Sequence, residues 1–190
     1  MFILGSQSPR RKSLMEKDIT PDFAVLVADI DESVSYKYRP LKAVKEIAYR
    51  KGKAILEKAD DPGDVIITAD TIVVLGREII GKPKDKEDAI KMLHKLSGRT
   101  HIVYTAYYIT HQGKEILHYD ESFVKFNKLD DDLITKYVDT GSPLDKAGAY
   151  GLQDNNEFPI VKSVRGSIKN VIGFPTEKII KDLKKIGAIK

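Results

Sequence analysis

The sequence predicts an α/β fold built on a mixed β-sheet. Three observations carry that prediction. Apolar runs of strand character alternate with segments of helical periodicity. The alternation is irregular and broken by hairpin signals, which argues against a doubly wound parallel sheet. One run, VIITADTIVVL at 65–75, is apolar at odd and even positions alike, the pattern of a strand covered on both faces. A chain of 190 residues buries roughly 70% of its unfolded surface. One domain over 1–190 is therefore expected, at most divided into two lobes.

The elements follow in order. MFIL opens as a short buried strand. A helix over 9–16 follows, with Ser8 as N-cap and Pro9 at the first helical position. DFAVLVADIDES at 22–33 starts as a strand and ends acidic. Residues 40–58 read as a helix, because Leu41, Val44, Ala48 and Ile55 form one apolar stripe. DPGD at 61–64 is a turn into the 65–75 strand, and GRE allows a hairpin into IIGKPK. Asp85 caps a helix running to Leu96, with Ala89, Ile90, Leu93 and Leu96 inward and Gly98 closing it.

HIVYTAYYIT, HQGK and EILHYDESFVKF form a β-hairpin with a long second strand. DDDLITKYVDTG at 130–141 is a short helix with an acidic start. DKAGAYGLQDNN at 145–156 reads as a glycine-containing loop, and PIVKSVRGSIKNVIG returns to strand pattern around a turn. The last helix, in FPTEKIIKDLKKIG, turns Ile179, Ile180, Leu183 and Ile186 inward.

The net charge of +4 is a small excess spread along the chain, so no nucleic-acid partner is expected. There is no cysteine, which removes disulfides, thiolate catalysis and cysteine zinc sites. No run approaches ~18 apolar residues, and no basic-then-apolar signal opens the chain. A soluble, cytoplasmic protein with no membrane partner is the expectation.

Four places carry chemistry. In GSQSPRRKSL, Arg10, Arg11 and Lys12 crowd the first turn of a helix whose N-terminus is already partly positive. With Ser6, Ser8 and the free N–H groups, these cations describe a phosphate cradle. Asp70 interrupts the apolar 65–75 run, where a carboxylate is costly unless paired or bound to metal. Lys51 falls on the apolar stripe of its helix, three residues after Ala48, whereas Lys53 falls off it. Lys82 is presented by Gly81 and Pro83, and Glu32 is a possible second ligand for a metal or water. The four histidines show no metal or triad spacing. Neither GxxxxGK[ST] nor GxGxxG is present. A phosphate cradle, carboxylates and lysines together point to phosphoanhydride hydrolysis.

SQSPRR, ADTIV, GKP, LSGRTHIVYT, DKAGAYGLQ and NVIGFP occur in that order from residue 6 to 175. With them the chain resembles the Maf family of septum-formation-inhibitor-like proteins. The resemblance implies an elongated mixed sheet with flanking helices, two lobes around a cleft, as in inosine triphosphatase. It implies a homodimeric nucleoside triphosphate pyrophosphatase that cleaves the α–β bond with a divalent cation, Mg²⁺ or Mn²⁺. Residue by residue, it makes Asp70, Lys82, Lys51 and Glu32 catalytic, with Asp70 and Glu32 toward the metal. It gives Ser8, Arg10, Arg11, Thr71 and Gln153 to the substrate. Arg10, Thr71 and Gln153 match the branch preferring dTTP and UTP. Gly52, where alanine is usual, and Ile168, Lys169 and Phe174 depart from the pattern. Three other readings compete: an enzyme of the same type that clears modified or noncanonical nucleotides, modified pyrimidine triphosphates among them; a cell-division regulator that binds without catalysis; and a nucleic-acid-binding module.

Overall fold

The computed structural model describes residues 1–32, 39–59 and 61–190. Ser33, the end of the expected 22–33 segment, lies outside them. β1 (Phe2–Leu4) leads into α1 (Pro9–Asp18), and β2 (Phe23–Val25) into α2 (Pro40–Leu56). β3 (Val65–Leu75) and β4 (Glu78–Ile80) precede α3 (Lys86–Leu96). The long strands β5 (Thr100–His111) and β6 (Lys114–Phe126) come next, then α4 (Asp131–Asp139), β7 (Val161–Arg165), α5 (Ile168–Ile172) and α6 (Thr176–Ile186).

The strands form one seven-stranded mixed sheet in the order β2-β1-β3-β5-β6-β7, with β4 paired to β3. β1 runs parallel to both neighbours, Phe2 opposite Phe23 and Val65. β4 and β7 are antiparallel to β3 and β6, so the expectation of a mixed α/β sheet flanked by helices holds. Among the described residues no helix is long and apolar enough to cross a membrane.

The chain divides into two compact units, neither a continuous stretch. The first comprises Met1–Asp70, Thr105–Asp120 and Ile172–Lys190. Its core gathers Leu4, Met15, Ile67, Tyr107, Phe174 and Leu183. α2 buries Val44, Ala48 and Ile55 of its predicted stripe, while Leu41 at its start is only half-buried; Ala43, Ile47 and Gly52 are buried as well. Gly52 is required by its neighbour: a Cβ there would stand 2.0 Å from the Tyr108 ring. Gly52→Ala is expected to lower stability by about 1–3 kcal/mol, the overpacking cost exceeding the gain in helix propensity. Thermal unfolding of the two proteins measures the difference, and an unchanged midpoint would show that the ring simply moves aside.

In α6 the inward face is Ile179, Leu183 and Ile186 as expected, but Ile180 is only half-buried and Asp182 is buried. Asp182 is tolerated there because its carboxylate accepts from Tyr107 Oη at 2.7 Å, with His118 Nδ1 also at 2.7 Å.

The second unit comprises Thr71–Tyr104 and Glu121–Val171. Val73, Leu93, Val103, Phe126, Tyr137 and Tyr150 lie in its core. Asp85 and Asp130 cap α3 and α4 through the N–H groups of Asp88 and Leu133, both at 2.8 Å. The 145–156 loop carries short 3-10 turns, Ala147–Ala149 and Leu152–Asp154. One expectation fails in this unit. Beyond β7 there is no second strand, because Gly166 turns the chain at φ +120 and α5 follows. The Ser167 hydroxyl takes the Asn170 N–H at 3.2 Å, and buried Asn170 donates to Val103 O and Ser122 Oγ at 3.0 and 2.9 Å.

His101 is buried in this unit, with Nε2 2.8 Å from Tyr150 Oη and Nδ1 without a partner. Burial pushes its imidazole down to about 4. Between about 6.5 and 4 the unfolded chain therefore binds a proton that the folded chain refuses. Stability should fall with pH across that window, by up to about 3 kcal/mol from this residue. Urea unfolding at pH 7 and pH 4.5 checks it: the loss should shrink in a His101→Leu variant, and an equal loss would assign the acid sensitivity to other groups.

Candidate active site

The site begins where β1 ends. Its parallel pairing with β3 brings the turn at 5–8 beside the strand that carries Asp70. Ser6 is buried, and its Oγ accepts from Ser8 N at 3.2 Å and from Arg11 Nη1 at 3.3 Å. Ser8 caps α1 by accepting from Arg11 N, as the sequence predicts. α1 has no acidic residue in its first turn, and Arg10, Arg11 and Lys12 crowd that end of the helix.

Arg11 reaches further. Its Nε donates to Gly173 O and its Nη1 to Ala69 O, both at 2.8 Å. One guanidinium thus ties α1 to β3 and to the chain just before α6. Burial lowers its pKa, and Arg10 adds to that, while Asp70 and Glu32 oppose it. The repulsion among the clustered cations is met by two carboxylates within electrostatic range.

Those carboxylates converge on Lys51. Its Nζ donates to Asp70 Oδ1 at 2.9 Å and lies 3.0 Å from Glu32 Oε1. The Lys51 and Asp70 side chains are only 12% and 13% exposed, whereas Glu32 is 54% exposed. The pair is therefore largely shielded from water and strong, while the Glu32 arm is exchangeable. Lys53, two residues on, leaves this group and binds Glu115 Oε1 at 2.5 Å on an exposed face. Glu32, Lys51, Asp70, Ser8, Arg10 and Arg11 all belong to the first unit.

Thr71, Lys82 and Gln153 belong to the second. Thr71 follows Asp70 in β3, and Lys82 is exposed on the short loop after β4. That loop is anchored to the glycine segment, since Gly148 N donates to Gly81 O at 2.9 Å. Gln153 is exposed on the 3-10 turn Leu152–Asp154. The sequence reading missed what holds this turn. Tyr137 Oη donates to Asp154 Oδ2 at 2.7 Å and accepts from Gly151 N at 3.0 Å. Buried Lys146 binds Ser142 Oγ and Asp145 Oδ1 at 2.9 and 2.8 Å. No periodic pattern links these residues; only the fold does.

Asp70 and Glu32 also suit a hard cation. Mg²⁺ is usually held by one or two carboxylates together with substrate phosphates rather than by a full protein cage. Among the described residues no group of three or more His, Cys, Asp or Glu side chains gathers.

A family model described as Maf-like protein matches residues 1–186. The chain belongs to the Maf family. Three relatives of this Maf chain, each named dTTP/UTP pyrophosphatase, span nearly the whole of it. The protein of Thermococcus kodakarensis is 42% identical over 187 residues, covering 98% of this chain and 97% of its own. That of Acholeplasma laidlawii is 42% identical over 190 residues, covering 100% and 98%. That of Bacillus cytotoxicus is 37% identical over 187 residues, covering 98% and 96%. Among solved structures, a nucleoside-triphosphatase / dITP/XTP pyrophosphatase from Mycobacterium abscessus aligns over 99% of both chains at 12% identity. Its TM-score of 0.47 is too low to support a further conclusion about this Maf protein.

Proposed function

We infer that this Maf protein is a nucleoside triphosphate pyrophosphatase, cleaving the α–β phosphoanhydride of dTTP and UTP to the monophosphate and pyrophosphate. The observation that carries the reading is the Lys51 ammonium held between Asp70 and Glu32 beside the cationic start of α1. That grouping offers a carboxylate for water and cations for the phosphates, and relatives of this chain are named dTTP/UTP pyrophosphatase. Membership of the dTTP/UTP branch rests on Arg10, Thr71 and Gln153.

In this reading Ser8, the N–H groups of α1 and Arg10 receive phosphate oxygens. Arg11, with its Nε and Nη1 on backbone carbonyls, fixes the geometry of that cradle. Asp70 accepts the proton of the attacking water or aligns it. Lys51 orients Asp70 through its hydrogen bond to Oδ1. Lys82 neutralises charge developing on the departing pyrophosphate. Thr71 and Gln153 address the sugar and base, the Gln153 amide pairing with a carbonyl and the ring N–H of uracil or thymine. A divalent cation would be held by Asp70 and Glu32 with the phosphates, and would supply charge neutralisation and a more acidic water. A homodimer belongs to the same proposal and rests on the family resemblance. A cytoplasmic location belongs to it because nucleoside triphosphates are held there.

The test is product analysis with dTTP, UTP, CTP, GTP and ATP in the presence of Mg²⁺ or Mn²⁺. UTP and dTTP should give the highest kcat/KM, with a monophosphate and pyrophosphate as products. A nucleoside diphosphate with orthophosphate, or a purine triphosphate as best substrate, would overturn the reading. A regulator acting by binding alone is disfavoured, since such a role has no use for an ammonium held between two carboxylates.

A further inference from the structure

We propose that Gly151 and Tyr137 are positioning residues for the Gln153 side-chain amide and through it set the nucleobase preference. The inference rests on the base-reading role of Gln153 proposed above. An exposed glutamine has several rotamers, and its amide can present either end to a base. A freely turning amide would serve cytosine nearly as well as uracil, because donor and acceptor simply exchange. Discrimination requires that one orientation be held before the base arrives.

The structure shows Gln153 in one such pose, on a turn that is itself anchored. Gln153 folds back over Gly151, so that a Cβ on residue 151 would stand 2.5 Å from Nε2 and 2.8 Å from Cδ of Gln153. The amide occupies the place where any other residue would carry its side chain. The backbone does not explain the glycine, since Gly151 is extended at φ −133 and ψ 139, which every residue adopts. Space explains it. The Lys146 stem closes the far side, with Cε 2.7 Å from that same Cβ position.

Beneath the turn, one phenol fixes both ends. Tyr137 Oη accepts from Gly151 N and donates to Asp154 Oδ2, and Ser142 Oγ adds a second donor to that carboxylate oxygen at 2.8 Å. Tyr137 itself is fully buried in α4. The turn that carries Gln153 is thereby anchored to the core of its unit.

The experiment is a double-mutant cycle on the ratio of kcat/KM for UTP over CTP. Gly151→Ala should lower that ratio about tenfold or more, chiefly through KM, with kcat for UTP changed less than about threefold. In a Gln153→Ala background the same change should add nothing. Tyr137→Phe keeps the ring in the core but frees the Gly151 N–H and leaves Asp154 Oδ2 to Ser142 alone, and should shift the ratio in the same direction. Thermal unfolding of each variant accompanies the kinetics; were Gly151→Ala unfolded, Tyr137→Phe decides alone. If Gln153→Ala changes the ratio while Gly151→Ala and Tyr137→Phe do not, the positioning inference fails and base reading by Gln153 survives. A Gly151→Ala effect of equal size without the Gln153 amide also overturns the inference. If Gln153→Ala leaves the ratio unchanged, base reading itself is wrong and the inference falls with it.

Discussion

Asp70→Asn should yield a folded protein that releases pyrophosphate from UTP at least about a thousandfold more slowly. The amide preserves the size of the side chain and can still accept from Lys51 Nζ, which now donates to Asp70 Oδ1 at 2.9 Å. What disappears is the negative charge. Asparagine takes no proton from water and binds a divalent cation weakly. A thousandfold loss corresponds to about 4 kcal/mol of transition-state stabilisation. The fold should survive, because Lys51 keeps Glu32 as a counter-ion at 3.0 Å. A change of ~1 kcal/mol would move the melting midpoint by roughly 2–4 °C in a chain of this size. The pairing of outcomes is what matters: lost turnover with a kept midpoint. A variant with near wild-type kcat would reduce Asp70 to a structural ion pair.

Asp70 and Lys51 were legible before the structure because each breaks a pattern. A carboxylate inside an apolar strand and an ammonium on an apolar helix stripe are both expensive, and the cost marks them. The pattern also separated Lys51 from Lys53, and the structure sends them to different partners, Asp70 and Glu115. Arg11 was only half legible. Its place at a helix N-terminus is visible in the sequence, but the carbonyls of Ala69 and Gly173 that take its donors are not. Backbone acceptors leave no trace in side-chain identity.

The misreadings have the same root. α5 is five residues long, too short to show a helical period, and it exists because Gly166 turns the chain and buried Asn170 finds partners on β5 and β6. Ile168, Val171 and Ile172 stand at i, i+3 and i+4, too few positions to separate one helical turn from the strand pattern that precedes it. Nothing in the sequence marks Tyr137, whose hydroxyl acquires a role only through Gly151 and Asp154 on a later turn. Gly52 was visible as a departure from the family's usual alanine, without a reason. The Tyr108 ring supplies one.

Lys51→Met should damage the enzyme in two ways that Asp70→Asn does not combine. Methionine keeps the apolar stem that lets residue 51 lie on the buried stripe of α2, and removes only the ammonium. Asp70 is then left largely buried without its counter-charge, facing the like charge of Glu32 across the vacated position. Breaking a shielded pair from one side costs more than the pair contributes, because a desolvated charge is stranded. A loss of about 1–3 kcal/mol in unfolding free energy is expected, below the ~3–5 kcal/mol of a fully buried pair because Glu32 is half open to water. Activity should fall about a hundredfold or more, since Asp70 loses the group that orients it. Raised Mg²⁺ should recover part of both losses, as a divalent cation replaces the missing positive charge between the two carboxylates. Lys53→Ala is the control: its pair with Glu115 is exposed, so stability should change by less than about 1 kcal/mol and kcat/KM by less than about twofold. Urea unfolding and initial rates, each with and without Mg²⁺, decide the matter. Equal damage from the two lysine variants, or indifference of Lys51→Met to Mg²⁺, would mean that the Lys51 ammonium does not govern the carboxylate pair.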